Sequence, residues 1–201
     1  MEKIIKEGKE LETIINEILT EENITKEELY YKHFSKKTGL FGKTTIVVEA
    51  VTRTNLIEFI KEYLKELTNN MGVEVTFETR IRDNSIIVKM YSDSNPVLIG
   101  KNGNTIKAME TILKQKIQTD FGFYAYVTLD VENYKEKQEK RLIHLAKKLA
   151  KEVAKTNVEV HLENMNAYDR RIIHNALTNF KGIKTESEGE EPNRHIVIKP
   201  L

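Results

Sequence analysis

The stretch that decides the fold runs from Val97 to Ile106 and reads Val-Leu-Ile-Gly-Lys-Asn-Gly-Asn-Thr-Ile. Two glycines, three positions apart, interrupt an otherwise apolar helical pattern, and Lys101 and Asn102 stand between them. Glycine adopts backbone conformations that other residues resist and lets a second chain come close to the backbone. The pattern therefore predicts a tight, basic loop between two short helices.

The segments on both sides of this loop follow a definite order. Apolar residues at helical spacing predict a helix over 55–71, and strict alternation predicts a strand over 73–81 that returns as a hairpin arm over 85–91. Asn95-Pro96 opens a short helix before the loop. After the loop, inward-facing residues from Ile106 to Ile117 predict the next helix, and alternation predicts a strand over 123–131. The predicted order is helix, strand, strand, helix, loop, helix, strand.

This order, with the glycines in that place, resembles the KH domain in its prokaryotic, type II arrangement. KH domains clamp the backbone of about four unpaired nucleotides with a Gly-x-x-Gly loop. The resemblance implies that the loop grips phosphates, that Ile99 lies in the floor of the base groove, and that Lys101 adds positive charge. The alternative is a plain turn with a solvated lysine. The implied RNA-binding set is Ile99, Gly100, Lys101, Asn102, Gly103 and Asn104.

Composition limits the function classes. The chain has 201 residues, of which 39% are hydrophobic and 31% are charged, as in compact domains with well-charged surfaces. It has no cysteine, which excludes disulfides and thiolate chemistry and fits a reducing compartment. No apolar run approaches the roughly 18 residues of a spanning helix, and residues 1–12 alternate charges. We therefore expect a cytoplasmic protein without membrane insertion.

Charge is distributed unevenly over three predicted domains. Residues 1–52 carry a net charge of −2, residues 53–132 a net charge of −1, and residues 133–201 a net charge of +4. The last segment opens with a predicted helix over 134–155 that holds eight basic and three acidic residues. The predicted fold class is α+β, with three small α/β modules in tandem, and the C-terminal module is the expected place for a polyanion-binding surface.

Residues 1–52 are predicted to form a small α/β unit with strands at 29–34 and 45–51. Gly42-Lys43-Thr44 copies the end of a phosphate-binding loop, but that loop also needs a glycine five positions before Gly42 and a strand-to-helix transition. Lys37 occupies the position where that loop needs its first glycine, and a strand rather than a helix is predicted to follow. We therefore predict a basic hairpin turn whose Leu40-Phe41 tip can contact another protein.

The C-terminal segment contains an Arg-x-x-x-His pattern. Arg170 and His174, four residues apart on a predicted helix, lie on the same side and away from the centre of its apolar face. A helix of this kind flanked by short strands resembles the R-three-H domain, which binds single-stranded nucleic acids. The implied nucleic-acid-binding set is Arg170, Arg171, His174, Thr185, Ser187 and Arg194.

The three motifs, in this order and over essentially the whole chain, resemble the bacterial Jag family, also called the KhpB, EloR or SpoIIIJ-associated family. The resemblance implies a cytoplasmic, non-catalytic RNA-binding regulator linked to cell elongation, division or envelope assembly. The expected partners are single-stranded RNA, with single-stranded DNA as an alternative, and a small KH protein of the KhpA type or a second copy of the chain. An envelope-assembly protein could dock on residues 1–52. No cofactor or metal is expected.

Two other function classes compete with RNA binding. An enzyme is disfavoured because none of the five histidines falls in a zinc-ligand spacing and no serine lies in a nucleophile elbow. A protein-interaction adaptor would use the KH module mainly for dimerisation and residues 1–52 to dock a membrane-associated or cell-wall partner. The adaptor hypothesis is compatible with RNA binding and predicts that RNA affinity survives deletion of residues 1–52.

Overall fold

The computed structural model describes residues 3–37 and 44–201. The chain divides into two compact units, residues 1–132 and residues 133–201. The described residues form three separate three-stranded sheets, each with helices, so the expected tandem α+β organisation is confirmed. None of the helices in the described ranges combines the length and apolar composition that a bilayer crossing needs.

The first sheet belongs to the N-terminal segment. Its elements are β1 (Ile4–Gly8), α1 (Leu11–Glu22), a 3-10 turn (Lys26–Glu28), β2 (Leu29–Lys37) and β3 (Thr44–Thr52). The strand order is β1-β3-β2, with antiparallel pairing throughout. Ile14, Ile15 and Ile18 of α1 pack on the sheet because their three- and four-residue spacing places them on one face. The predicted Leu40-Phe41 tip and Gly42-Lys43 fall in 38–43, outside the described residues.

The second sheet forms the middle of the chain. Its elements are α2 (Arg53–Asn70), β4 (Thr76–Arg82), β5 (Ser85–Tyr91), α3 (Asn95–Ile99), α4 (Asn104–Phe121) and β6 (Val127–Val131). The strand order is β4-β5-β6, with β4 and β5 antiparallel and β5 and β6 parallel. Strands β4 and β6 begin three to four residues later than predicted, because the alternation at 73–75 and 123–126 reflects burial of chain that lies outside the strands.

The N-terminal segment is joined to this middle segment by shared packing. Val51 of β3 is 1% exposed and belongs to the same apolar core as α2, α4 and β5. Tyr30 of β2 stacks on Phe123, with the ring centroids 5.6 Å apart. The Lys3 ammonium donates to the Asp120 carbonyl oxygen at 2.7 Å, at the C-terminal end of α4. Residues 3–37 and 44–52 are therefore part of the compact unit that carries the glycine loop.

The third sheet belongs to the C-terminal unit. Its elements are α5 (Tyr134–Thr156), β7 (Val160–His161), α6 (Ala167–Leu177), β8 (Ile183–Glu188) and β9 (His195–Pro200). The strand order is β7-β9-β8, again antiparallel. Strand β7 has only two residues. The core lies between α5, α6 and the sheet, and includes Leu142, Ile173 and Ile198.

Candidate nucleic-acid interface

The predicted glycine loop joins α3 to α4. Gly100 follows α3 with φ near 70°, residues 101–103 form one 3-10 turn, and α4 starts at Asn104. Gly100 and Gly103 both have positive φ, the region that glycine enters without steric cost. Leu98 is completely buried and Ile106 is 3% exposed, so both flanking helices are anchored in the core. The loop is therefore a tight turn held between two anchored helices.

Gly100 is required for a second reason. A Cβ atom built on Gly100 would lie 2.0 Å from the Thr105 hydroxyl oxygen and 2.8 Å from the Thr105 Cβ. The first turn of α4 therefore passes directly over the backbone of Gly100. Any side chain here would move α4 as well as strain the turn, so a substitution of Gly100 tests stability and not binding alone.

The other predicted loop residues differ in exposure. Lys101 and Asn104 are exposed, Asn102 is half-buried, and Gly103 is buried. Ile99 is partly buried and packs on the core of the middle segment. Lys101 and Asn104 are thus the side chains that an approaching phosphate would meet first, a cation and a neutral donor.

In the C-terminal unit, four of the predicted residues lie along one edge between α6 and β8. A ring nitrogen of His174 (Nδ1) shares a 2.8 Å hydrogen bond with the Thr185 hydroxyl, and the Arg194 Nε donates to the Ser187 hydroxyl at 3.1 Å. Thr185 and Ser187 are two positions apart on β8 and so point to the same face. The edge offers an imidazole, two hydroxyls and a guanidinium to an anionic strand.

Arg170 occupies a different environment from the one its helical position suggested. It is 8% exposed, and its Nη1 donates to the Met165 carbonyl oxygen at 2.8 Å and to a Glu191 carboxylate oxygen at 2.9 Å. The helical angle gives the direction in which a side chain leaves the axis, but not the loops that fold over it. Arg170 therefore ties the turn before α6 to the turn after β8, and its charge is matched by Glu191.

Two exposed side chains stand at the start of α6. Arg171 is exposed, and Tyr168, three residues earlier, is 61% exposed. Residues three apart on a helix are neighbours, so an aromatic ring and a cation are adjacent here. Sequence reasoning identified Arg171 but missed Tyr168, whose exposure was not visible from the apolar spacing of α6. Base–aromatic stacking is a common contact in single-strand binding.

The hairpin of β8 and β9 carries a compact ionic cluster. The Lys199 ammonium lies 2.5 Å from both Glu186 and Glu188, and the Lys184 ammonium lies 2.8 Å from Glu186. Hydrogen bonds from Lys184 and Lys199 lower the pKa of the Glu186 carboxyl to about 2. These two lysines are held by acids within the hairpin. Over residues 3–37 and 44–201, no group of three or more His, Asp and Glu side chains could hold a metal ion.

Comparison with known proteins places both modules in described families. Residues 57–129 match the model of the KhpA/KhpB KH domain, and residues 140–200 match that of the R-three-H (Arg-x-x-x-His) domain. Both matches lie inside the domain boundaries expected from the sequence. The loop Gly100–Gly103 falls in the first match, and the pair Arg170 and His174 falls in the second.

Similarity to curated relatives extends beyond these two domains. The RNA-binding protein KhpB of Clostridium symbiosum is 32% identical over 203 residues, which cover 98% of this chain and 91% of the relative. The protein of the same name from Bacillus subtilis is 35% identical over 162 residues, 80% of this chain and 78% of the relative. That of Lactiplantibacillus plantarum is 27% identical over 153 residues, 76% of this chain and 48% of the relative. The resemblance to the Jag, or KhpB, family is thereby confirmed, and the chain belongs to the KhpB family.

Proposed function

We propose that this chain binds single-stranded RNA without catalysing a reaction. The observation that carries the proposal is the Gly100–Gly103 turn, which is fixed between two buried helix anchors and presents Lys101 and Asn104 outward. A turn that is already ordered can bind a phosphate backbone without the entropic cost of ordering a loop. The relatives from Clostridium symbiosum and Bacillus subtilis carry the name RNA-binding protein KhpB, which supports the same ligand for this chain.

The two units contribute different contacts. At the loop, the backbone and Lys101 hold phosphates while bases lie against Ile99, as in the KH mode of binding. At the edge of α6 and β8, His174, Arg171 and Arg194 supply further donors. Arg170 acts as a positioning residue, because its guanidinium is already bound by Met165 and Glu191. Single-stranded DNA, which shares the phosphate backbone, remains the alternative ligand.

We further propose a regulatory role in the cell. The chain would regulate cell elongation, division or envelope assembly, as the resemblance to its family implies. It would act in the cytoplasm with a KhpA-type partner or with a second copy of itself. The adaptor alternative would dock a partner through the Leu40-Phe41 tip, which lies outside the described residues, whereas Tyr30 and Val51 pack into the core of the middle segment. These two side chains are used for internal packing and are not offered to another protein.

The first test compares single-stranded and duplex RNA of the same sequence as competitors for the full chain. We expect the single strand to bind at least about tenfold more tightly, because a KH loop needs splayed, unpaired bases. Fluorescence anisotropy at a fixed salt concentration measures both affinities. Equal affinity for the duplex, or no binding of either RNA, would refute the proposal.

The same assay separates the roles of Arg170 and His174. His174→Ala together with Arg171→Ala should lower RNA affinity while thermal unfolding stays close to that of the wild type, since both side chains are exposed. Arg170→Ala should instead destabilise the C-terminal unit by about 1–3 kcal/mol, because it leaves the Met165 carbonyl without its donor. If Arg170→Ala lowered affinity with no change in unfolding, Arg170 would be a binding residue and not a positioning one.

A further inference from the structure

One face of α5 is made only of basic residues. At about 100° per residue, an arc of about 120° around this helix contains eight positions. All eight are Lys, Arg or His, and they are Lys137, Lys140, Arg141, His144, Lys147, Lys148, Lys151 and Lys155. The arc extends over 19 residues, from Lys137 to Lys155, or about 27 Å along the helix axis. No acidic or apolar residue interrupts it.

This basic face points directly away from the protein core. The buried residues of α5 are Gln138, Leu142, Ala146, Ala150 and Val153, and their arc is centred about 180° from the basic one. All eight basic side chains are exposed. Because the apolar face of α5 is already packed against α6 and the sheet, only charge is presented to a partner.

Most of this charge is not neutralised within the protein. Lys140 pairs with Glu136 at 2.6 Å, but Arg141, Lys147, Lys148, Lys151 and Lys155 form no ion pair with any residue that the structure describes. Like charges three and four positions apart on a helix repel and destabilise it. Folding alone therefore does not explain why this face of α5 is entirely basic, whereas a bound polyanion would relieve the repulsion.

We propose that this face of α5 is a track for the phosphate backbone of single-stranded RNA, separate from the Gly100–Gly103 loop and from the edge of α6 and β8. The proposal rests on RNA binding by the chain. The cations recur about once per helical turn of 5.4 Å, a spacing suited to successive phosphates of one strand. An anionic membrane is a poorer occupant, because interfacial helices insert an apolar face that α5 has buried in its own core.

The test replaces Lys148, Lys151 and Lys155 by glutamine in the full chain and measures RNA affinity against salt concentration. For a single strand, each phosphate that is no longer neutralised should reduce the slope of log K against log salt by about 0.7. Removing all three cations should therefore lower the slope by about 2, so affinity at 0.1 M salt should fall roughly 100-fold. Glutamine has nearly the helix propensity of lysine and removes like-charge repulsion, so the melting temperature should stay equal to that of the wild type or rise slightly.

A charge-matched control replaces Lys9, Lys26 and Lys65 by glutamine, which removes the same three charges from exposed positions outside α5. The proposal requires this control to keep the wild-type slope. Equal losses of affinity in both variants would show a general effect of net charge and overturn the track. An unchanged slope in the α5 variant would also overturn it while leaving RNA binding intact, and a wild type that binds no RNA would refute the proposed function itself.

A second measurement uses the unaltered chain. Bound RNA should protect Lys148, Lys151 and Lys155 from acetylation, as read by mass spectrometry, while Lys9, Lys26 and Lys65 react as in the free protein. Protection by anionic lipid vesicles but not by single-stranded RNA would identify a membrane surface as the occupant and contradict the proposal. Uniform reactivity of all six lysines with RNA bound would contradict it as well.

Discussion

Replacing Lys101 and Asn104 together by aspartate is expected to lower the affinity for single-stranded RNA on the order of 100-fold. The change removes one cation and places two anions where phosphates pass, and like charges across an interface cost several kcal/mol, with each 1.4 kcal/mol equal to tenfold. Both side chains are exposed, and Asn104 is the first residue of α4, where an acidic side chain favours the helix. The melting temperature should therefore stay at or slightly above that of the wild type.

The matched control for this variant is Lys9→Asp with Asn23→Asp, which makes the same two residue changes at exposed positions of the N-terminal segment. Its RNA affinity should change by no more than about twofold, because neither residue belongs to the loop or to its flanking helices. Aspartate at Gly100 would be a poorer probe, since a Cβ there collides with Thr105. Unchanged affinity of the Lys101 and Asn104 variant, with a wild-type melting curve, would exclude the loop as an RNA contact.

Tyr30→Ala is expected to destabilise residues 1–132 by about 3 kcal/mol, the lower end of the range for deleting a packed aromatic ring. Tyr30 belongs to the N-terminal sheet, but its ring stacks on Phe123 and packs against the core of the middle segment. The substitution should lower the melting temperature of the unit by roughly 10 °C. Differential scanning calorimetry of the full chain measures it, because the two units can give separate transitions.

Tyr30→Phe is the control for this prediction. The Tyr30 hydroxyl is buried and has no hydrogen-bond partner among the described residues, so removing it should leave the melting temperature equal or slightly higher. If Tyr30→Ala had no effect on the transition of residues 1–132, the N-terminal segment would be an independent module. RNA affinity would then be expected to survive deletion of residues 1–52.

Long helices were predictable from the sequence because the apolar residues that repeat at helical spacing are the residues that these helices bury. Helices α2 and α5 lie within two residues of the bounds that apolar spacing indicated, and α4 begins two residues before Ile106 and ends four residues after Ile117. Alternation alone located the starts of strands β4 and β6 less exactly. Val73 and Phe123 follow the alternating pattern and are buried, but they lie before these strands. A period of two in the sequence shows which side of the chain is buried. It does not show whether the segment forms a strand, because hydrogen-bond pairing also needs a neighbouring strand.

The glycine loop was predictable because glycine itself marks the positive φ angles that the turn requires. The environment of Arg170 was not, because Glu191 reaches it from 21 residues away through a turn whose path no local pattern specifies. The basic face of α5 lies between these cases. Its composition was visible in the sequence, but the exposure and the missing ion pairs of its cations needed the packing of the C-terminal unit.

Ultraviolet crosslinking of the full chain to a uridine-containing single-stranded RNA, with the attached peptides identified by mass spectrometry, tests the two-site account most directly. We expect crosslinks in the segment 97–106, around the Gly100–Gly103 loop, and in the segment 168–174, where Tyr168 and His174 are exposed. Both sets of crosslinks to this RNA should disappear when a competing single-stranded RNA is added, and they should persist when duplex RNA is added instead. Crosslinks confined to other surfaces, or resistant to the single-stranded competitor, would contradict the account.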